Sequence, residues 1–258
     1  MRGAAEVAGV LELRRQGLGA RRIAARTGLP VSTVRDWLAG RLPRHASPAA
    51  TSDCPVCGHP QHAFDELPAE YCYLLGLYLG DGCISAGPRG VHRLRINLDL
   101  AYPGIVDECE MAIRAVAPRN RVYRLLRKSN YTKAPEPSLV EVSAYSRIWP
   151  CLFPQHGPGR KHEREITLVA WQRALVLRHA RSLLRGLIHS DGCRFINTGR
   201  GGWTCPRYVF NNKSDDICRI FAEACALLGV RHTFAPRAVY VSRKADVAVL
   251  DGFIGPKA

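Results

Sequence analysis

The chain has 258 residues, 47% of them apolar, with a formal net charge of +15 and a pI near 9.7. That is enough apolar content for a real core, and the charge points to a polyanion partner, nucleic acid first among them. The sequence opens without a leader-like apolar region and holds no apolar run of membrane-spanning length, and its ten cysteines follow no secreted framework; together these predict reduced thiols in a cytoplasmic, nucleoid-associated protein.

Residues 1–42 read as a small all-α domain. The first 50 residues carry nine Arg against three acidic residues. Val7, Val10 and Leu11 recur at helical spacing, and a second helix is predicted over Ala20–Arg26 with Ile23 and Ala24 inward. Gly28 makes the turn. Ser32 is expected to cap a third helix over Thr33–Ala39, whose buried face is Val34, Trp37 and Leu38. The run from Gly19 to Leu38 resembles the helix-turn-helix of resolvase- and transposase-type DNA-binding domains. The resemblance implies base-edge contacts from Ser32, Thr33 and Arg35 and phosphate contacts from Arg21 and Arg22.

Residues 43–66 read as a linker rich in Pro, Ser and Ala. Inside it lies Cys54-Pro-Val-Cys57-Gly-His59-Pro-Gln-His62, similar to half of a zinc ribbon or knuckle. Zn²⁺ on Cys54, Cys57 and His62, completed by His59 or by a distant ligand, is one reading. A proline-glycine turn with two incidental thiols is the other.

The next stretch, Leu74-Leu-Gly-Leu-Tyr-Leu-Gly-Asp-Gly-Cys83, occurs again 110 residues later as Leu184-Arg-Gly-Leu-Ile-His-Ser-Asp-Gly-Cys193, with six of ten positions identical. Each copy predicts an apolar helix that stops at Asp-Gly, with Gly82 or Gly192 as a left-handed cap. Gly76 and Gly80, and Gly186 and Ser190, place small residues on one helical stripe, where two backbones can approach. Helices paired along those stripes bring Asp81 and Asp191 side by side at two negative dipole ends, a site suited to a hard divalent cation.

The pattern resembles the LAGLIDADG homing endonuclease family, on residues Leu74–Gly82 and Leu184–Gly192. The family's catalytic acids correspond to Asp81 and Asp191, while its first acidic position is replaced by Leu79 and His189. The resemblance covers about three-quarters of the chain. It implies an α+β fold of two αββαββα repeats, over residues 67–165 and 166–258, forming a pseudo-twofold saddle.

Between the motifs, His92–Leu100 alternates, with Leu94, Ile96, Leu98 and Leu100 on one face and Arg93, Arg95, Asn97 and Asp99 on the other. A helix is predicted over Tyr102–Ala117, an extended basic segment over Arg119–Lys128, a loop over Lys133–Pro137 and a strand over Val140–Ser146. Gly157–Ile166 resembles the basic segment that joins the family's repeats. In the second repeat, Ile166–Arg178 leads into the motif helix and Arg194–Trp203 reads as a glycine-rich basic turn. Tyr208–Asn211 and Val239–Arg243 read as strands, and Ser214 caps a helix carrying Ile217, Ile220, Phe221, Ala224, Leu227 and Leu228. A short helix over Asp246–Ile254 closes the chain.

For function, the resemblance implies sequence-specific binding of double-stranded DNA by a monomer with an internal pseudo-dimer, needing no obligate protein partner. It implies Mg²⁺-dependent phosphodiester hydrolysis at Asp81 and Asp191, with Lys161 and Lys244 steadying phosphate charge and Arg93, Arg95 and Arg124 on the DNA. Two alternatives stay open: a non-cleaving transcription regulator on the same fold, and an intron RNA maturase.

Overall fold

The computed structural model describes residues 4–42, 54–59, 62–129, 136–255 and 257. Residues 43–53 and 60–61 of the linker expected over 43–66 lie outside them, as does most of the loop expected over Lys133–Pro137. The chain divides into two compact units, one over Met1–Pro55 and His59–Gln61, the other over Val56–Gly58 and His62–Ala258. Among the described residues, no helix is long and apolar enough to cross a membrane.

The first unit is built on helices α1 (Ala4–Arg15), α2 (Ala20–Thr27) and α3 (Val31–Leu38). Their core is Val7, Val10, Ile23, Ala24, Leu29, Val34 and Trp37. Leu11 faces outward. Gly28 closes α2 at φ +68°, the left-handed geometry that glycine takes without a Cβ penalty. The expected Ser32 cap is absent: α3 starts earlier, after Pro30, whose fixed φ suits helix entry. Arg21, Arg22, Ser32 and Arg35 are exposed and Thr33 is half-buried.

The second unit repeats one order of elements. The first copy runs α4 (Ala69–Asp81), β1 (Gly82–Ala86), β2 (His92–Asp99), α5 (Pro103–Val116), β3 (Val122–Arg127), β4 (Leu139–Ser146) and α6 (Trp149–Leu152). The second runs α7 (Ala170–Asp191), β5 (Gly192–Thr198), β6 (Thr204–Asn211), α8 (Asp215–Leu227), β7 (Thr233–Ala235), β8 (Ala238–Val241) and α9 (Lys244–Ile254). Both are αββαββα, as the resemblance implied. The sheets are antiparallel and ordered alike, β1-β2-β4-β3 and β5-β6-β8-β7.

The helices cover one face of each sheet. Leu94, Ile96, Leu98, Val140, Val142 and Ala144 enter the core in the first repeat; Tyr208, Phe210, Val239 and Val241 do so in the second. The two repeats share one apolar cluster, with α4 and α7 at its centre. Ser214 caps α8 as expected, its Oγ accepting from Ile217 N at 3.4 Å. A buried polar chain in the core is satisfied: Tyr71 donates to the Leu152 carbonyl at 2.6 Å, and Gln172 donates to Tyr71 at 2.7 Å.

Three expectations need correction. Gly82 and Gly192 are not left-handed caps; both are extended, at φ −87° and −110°. Glycine is needed there for space, since a Cβ would lie 2.5 Å from Tyr78 Cα or 2.5 Å from Ile188 Cδ1 where the helix turns straight into a strand. The segment after Asp191 is strand β5, not a turn. Short strand β7 was not foreseen.

Candidate active site at the paired helix ends

The site is made by a close helix crossing. A Cβ on Gly76 would fall 2.6 Å from Leu183 O and Leu187 N; one on Gly186 would fall 2.2 Å from Tyr73 O and 3.1 Å from Gly76 Cα. Backbone therefore lies against backbone. One turn on, a Cβ on Gly80 would meet Ser190 Oγ at 2.2 Å and the Asp191 carboxylate at 3.0 Å. Ser190 fits by folding its hydroxyl back onto its own helix, donating to Leu187 O at 2.9 Å. The small-residue stripe thus sets the distance between Asp81 and Asp191, the last residues of α4 and α7.

Both carboxylates are held away from their ordinary ionisation. Burial, then the charge of Asp191, pushes the Asp81 pKa up from 3.8 to about 7, against the opposing pull of Lys161 and Lys257. Burial likewise raises Asp191, and a hydrogen bond donated by Asn212 Nδ2 at 2.6 Å works the other way. Negative helix ends add to the strain of two carboxylates. The two open onto different clefts. Asp191 lines one of about 830 Å³ with Tyr78, Lys161, Arg164 and Asn212, and Asp81 lines a smaller one of about 240 Å³ with Asn97, Asp99 and Lys257.

Lys161 reaches the site from the segment between the repeats. Its ammonium donates to the carbonyls of Gly80 at 2.8 Å, Gly82 at 2.9 Å and Tyr78, so it closes the C-terminus of α4. Burial lowers its pKa from 10.5 to about 8, against the raising effect of Asp191 and Asp81. Lys244 sits elsewhere. It is the exposed first residue of α9 and lines neither cleft.

His189, which stands where the family pattern has an acid, is a packing residue. Its Nδ1 lies 2.9 Å from the Tyr73 hydroxyl and its Nε2 3.2 Å from Ile254 O. Burial, then nearby Arg185, lowers its pKa to about 4, so the ring is neutral at physiological pH.

The strand register sorts the arginines. Arg93 and Arg95 lie on the uncovered face of the first sheet, Arg93 donating to Glu141 and to Ser143 Oγ at 3.1 Å. Arg124 lies on the opposite face, opposite Val142 in the core-facing set, and pairs with Glu110 at 2.5 Å and Asp107 at 2.8 Å on α5. Its expected place on the DNA-facing side is therefore corrected: it ties β3 to α5. In the second sheet Arg207 holds the place of Arg93, because Gly192 pairs with Phe210 as Gly82 pairs with Ile96. The Nε atoms of Arg93, Arg95 and Arg207 are buried and have no hydrogen-bond partner among the described residues.

Asn212, Lys257 and Arg207 were not foreseen. Aligning the two repeats would have found Arg207. Asn212 and Lys257 have no sequence signal, since folding alone brings them to the carboxylates.

In the Cys/His segment, Cys57, His62 and Cys151 present ligand atoms within 4.8 Å of one another, with Cys57 Sγ 3.3 Å from His62 Nε2. His59 is exposed and is not part of this group.

No family model and no curated protein matches the chain. Among solved structures it is similar to the LAGLIDADG meganuclease I-AabMI bound to uncleaved DNA, at 12% identity and TM-score 0.40 over 71% of this chain and 82% of that one. It is similar to a variant of I-DmoI in complex with its target DNA in the presence of manganese, at 15% identity and TM-score 0.43 over 73% and 94%. A third similar structure is the homing endonuclease I-WcaI bound to its DNA recognition sequence, at 13% identity and TM-score 0.47 over 74% and 83%.

Proposed function

We propose that the chain binds double-stranded DNA along the uncovered faces of its two sheets and hydrolyses phosphodiesters with divalent cations, Mg²⁺ by preference, at Asp81 and Asp191. The observation that carries this is the pairing of two half-buried carboxylates at the ends of α4 and α7. Two carboxylates whose charged forms burial disfavours, Asp81 further by the charge of Asp191, suit a hard cation, which offsets both penalties at once. When bound, the cation supplies a Lewis acid and an activated water.

The chain's own residues do the rest. The Gly76–Gly186 crossing fixes the carboxylate spacing. Asn212 orients Asp191. Lys161 and Lys257 add positive charge next to both carboxylates, where a phosphodiester would bring its own negative charge. Arg93, Arg95 and Arg207 bring guanidinium charge to the uncovered faces, where a duplex on the sheets would meet it. The exposed Arg21, Arg22, Ser32 and Arg35, with Thr33, are read as a second, helix-turn-helix contact to DNA. The body acts as a monomer with an internal pseudo-dimer, in the cytoplasm at the nucleoid.

The alternative is a non-cleaving regulator, favoured by the N-terminal helical module. An RNA maturase is a lesser alternative. The test is Mg²⁺-dependent cleavage of a host genomic library, read by end-sequencing, with Asp81→Asn/Asp191→Asn alongside. Discrete cuts absent in the variant support the endonuclease. Equal enrichment of the same fragments by both proteins, without cutting, replaces it with the regulator.

A further inference from the structure

We infer that the Cys/His segment is a structural zinc site whose distant ligand is Cys151, giving a Cys₃His set with Cys57, His62 and Cys54. This goes beyond the proposed function and does not rest on it.

The geometry comes first. Around one tetrahedral zinc, with Zn–S of about 2.3 Å and Zn–N of about 2.0 Å, neighbouring ligand atoms stand roughly 3.5–3.8 Å apart. Cys57 Sγ and His62 Nε2 are 3.3 Å apart, and the Cys151 thiol lies within 4.8 Å of both. Shifts of a few tenths of an ångström to about one ångström would place all three on one ion. Cys54 supplies the fourth donor by its Cys-x-x-Cys spacing, on the turn that runs through Pro55 to Cys57. Gly58, at φ +66°, turns the chain back after the second thiol.

The imidazole is oriented before any metal arrives. The His62 ring stacks on Phe64 at 4.5 Å and 15°, and Phe64 stacks on Trp171 at 4.4 Å and 16°. Trp171 in turn lies 5.4 Å from Tyr71 in the core. Such support of a ligand by its surroundings is typical of built metal sites. Cys151 is fixed equally well, since it sits on α6 between Trp149 and Leu152, both buried.

The segment also needs something to hold it. Val56 is 59% exposed, and Cys57 is the one apolar side chain from Pro55 to His59 that is buried. So short a piece gains little from apolar burial, and a metal can supply the missing stabilisation. Four protein ligands leave no open position for substrate, so the site is structural and not catalytic.

The test uses the full chain, purified without chelator after growth with zinc. Elemental analysis should find equimolar zinc, and X-ray absorption should show three sulfurs and one nitrogen. Cys57→Ser and Cys151→Ser should each weaken zinc at least tenfold in competition with a chromophoric chelator, while His59→Ala should match wild type. Metal-free wild type, or a shell without sulfur, overturns the site. Undiminished zinc affinity in Cys151→Ser overturns the assignment of the fourth ligand. Should that variant fail to fold, the wild-type sulfur count decides: three supports Cys151 and two removes it.

Discussion

Gly186→Ala tests the crossing on which the whole site depends. The new methyl would stand 2.2 Å from the Tyr73 carbonyl oxygen and 3.1 Å from Gly76 Cα. An ordinary carbon–oxygen contact is about 3.3–3.6 Å, so α4 and α7 must separate by roughly 1 Å. Neither neighbour is a flexible side chain, and no rotamer change relieves the clash. Overpacking of this kind costs about 3 kcal/mol, while alanine regains about 1 kcal/mol of helix propensity, leaving a net loss of about 2 kcal/mol. For a body of this size that lowers Tm by roughly 4–8 °C. Gly252→Ala is the matched control. It lies in α9 with nothing within 4 Å of the added Cβ, so the same change should stabilise by up to about 1 kcal/mol. Differential scanning calorimetry of the three proteins reads both signs. If Gly186→Ala melts at or above wild type, the backbone contact is wrong, and some other packing must bring Asp81 and Asp191 together.

Three further outcomes rest on charge and hydrogen bonding at the site. The Asp81 pKa is raised on folding, so its contribution to stability is present below pH 4 and is lost as pH rises through about 7. The shift from 3.8 to about 7 is worth up to about 4 kcal/mol, so metal-free protein should melt lower at pH 8 than at pH 5. In Asp81→Asn that drop should shrink, and an unchanged drop would mean the carboxylate is not strained. Lys161→Met leaves the Gly80 and Gly82 carbonyls without their donor and should cost about 2–3 kcal/mol in urea unfolding; a loss under about 0.5 kcal/mol would show that Lys161 does not close α4. Asn212→Ala should weaken divalent-cation binding about tenfold by calorimetric titration, with little change in Tm without metal. Equal affinity would remove Asn212 from the site.

The motif helices were legible because they pair two signals, apolar content and a repeated small-residue stripe, and the structure uses both. The strand His92–Asp99 was legible because its alternation matches its two environments, core on one face and arginines on the other. β3 was harder. Tyr123-Arg124-Leu125-Leu126 has no clean alternation, and residues 123–127 of the strand are all exposed, so the face of Arg124 could not be read until its register with β4 was known. β1 and β5 were missed or misread because each begins at the residue after the motif aspartate, leaving no turn to announce it. Cys151 is a different case. A ligand 94 positions from Cys57 leaves no local trace, and it becomes a candidate only when α6 brings its thiol beside His62.

The repeats are alike in fold and unlike in chemistry, and the strand register pairs them residue by residue. Arg93 corresponds to Arg207, Asn97 to Asn211, and Cys83 to Cys193. Asn212 corresponds to Leu98, so Asp191 has an amide partner that Asp81 lacks among the described residues. His189 corresponds to Leu79 and is spent on Tyr73 and Ile254. The uncovered faces differ as well. Glu141, 4% exposed, neutralises part of Arg93 and Arg127 on the first sheet, while the equivalent surface of the second carries Phe195, Arg207 and Tyr240. A twofold-symmetric duplex would present identical groups to these two different faces, and one half would be poorly matched. On the proposed function the preferred DNA is therefore non-palindromic, and the two strands meet carboxylates in different surroundings. Separate Asp81→Asn and Asp191→Asn variants should then slow cutting of the two strands unequally, in a nicking assay with each strand labelled. Equal effects on both strands would mean that the two carboxylates act as one shared centre despite their different surroundings.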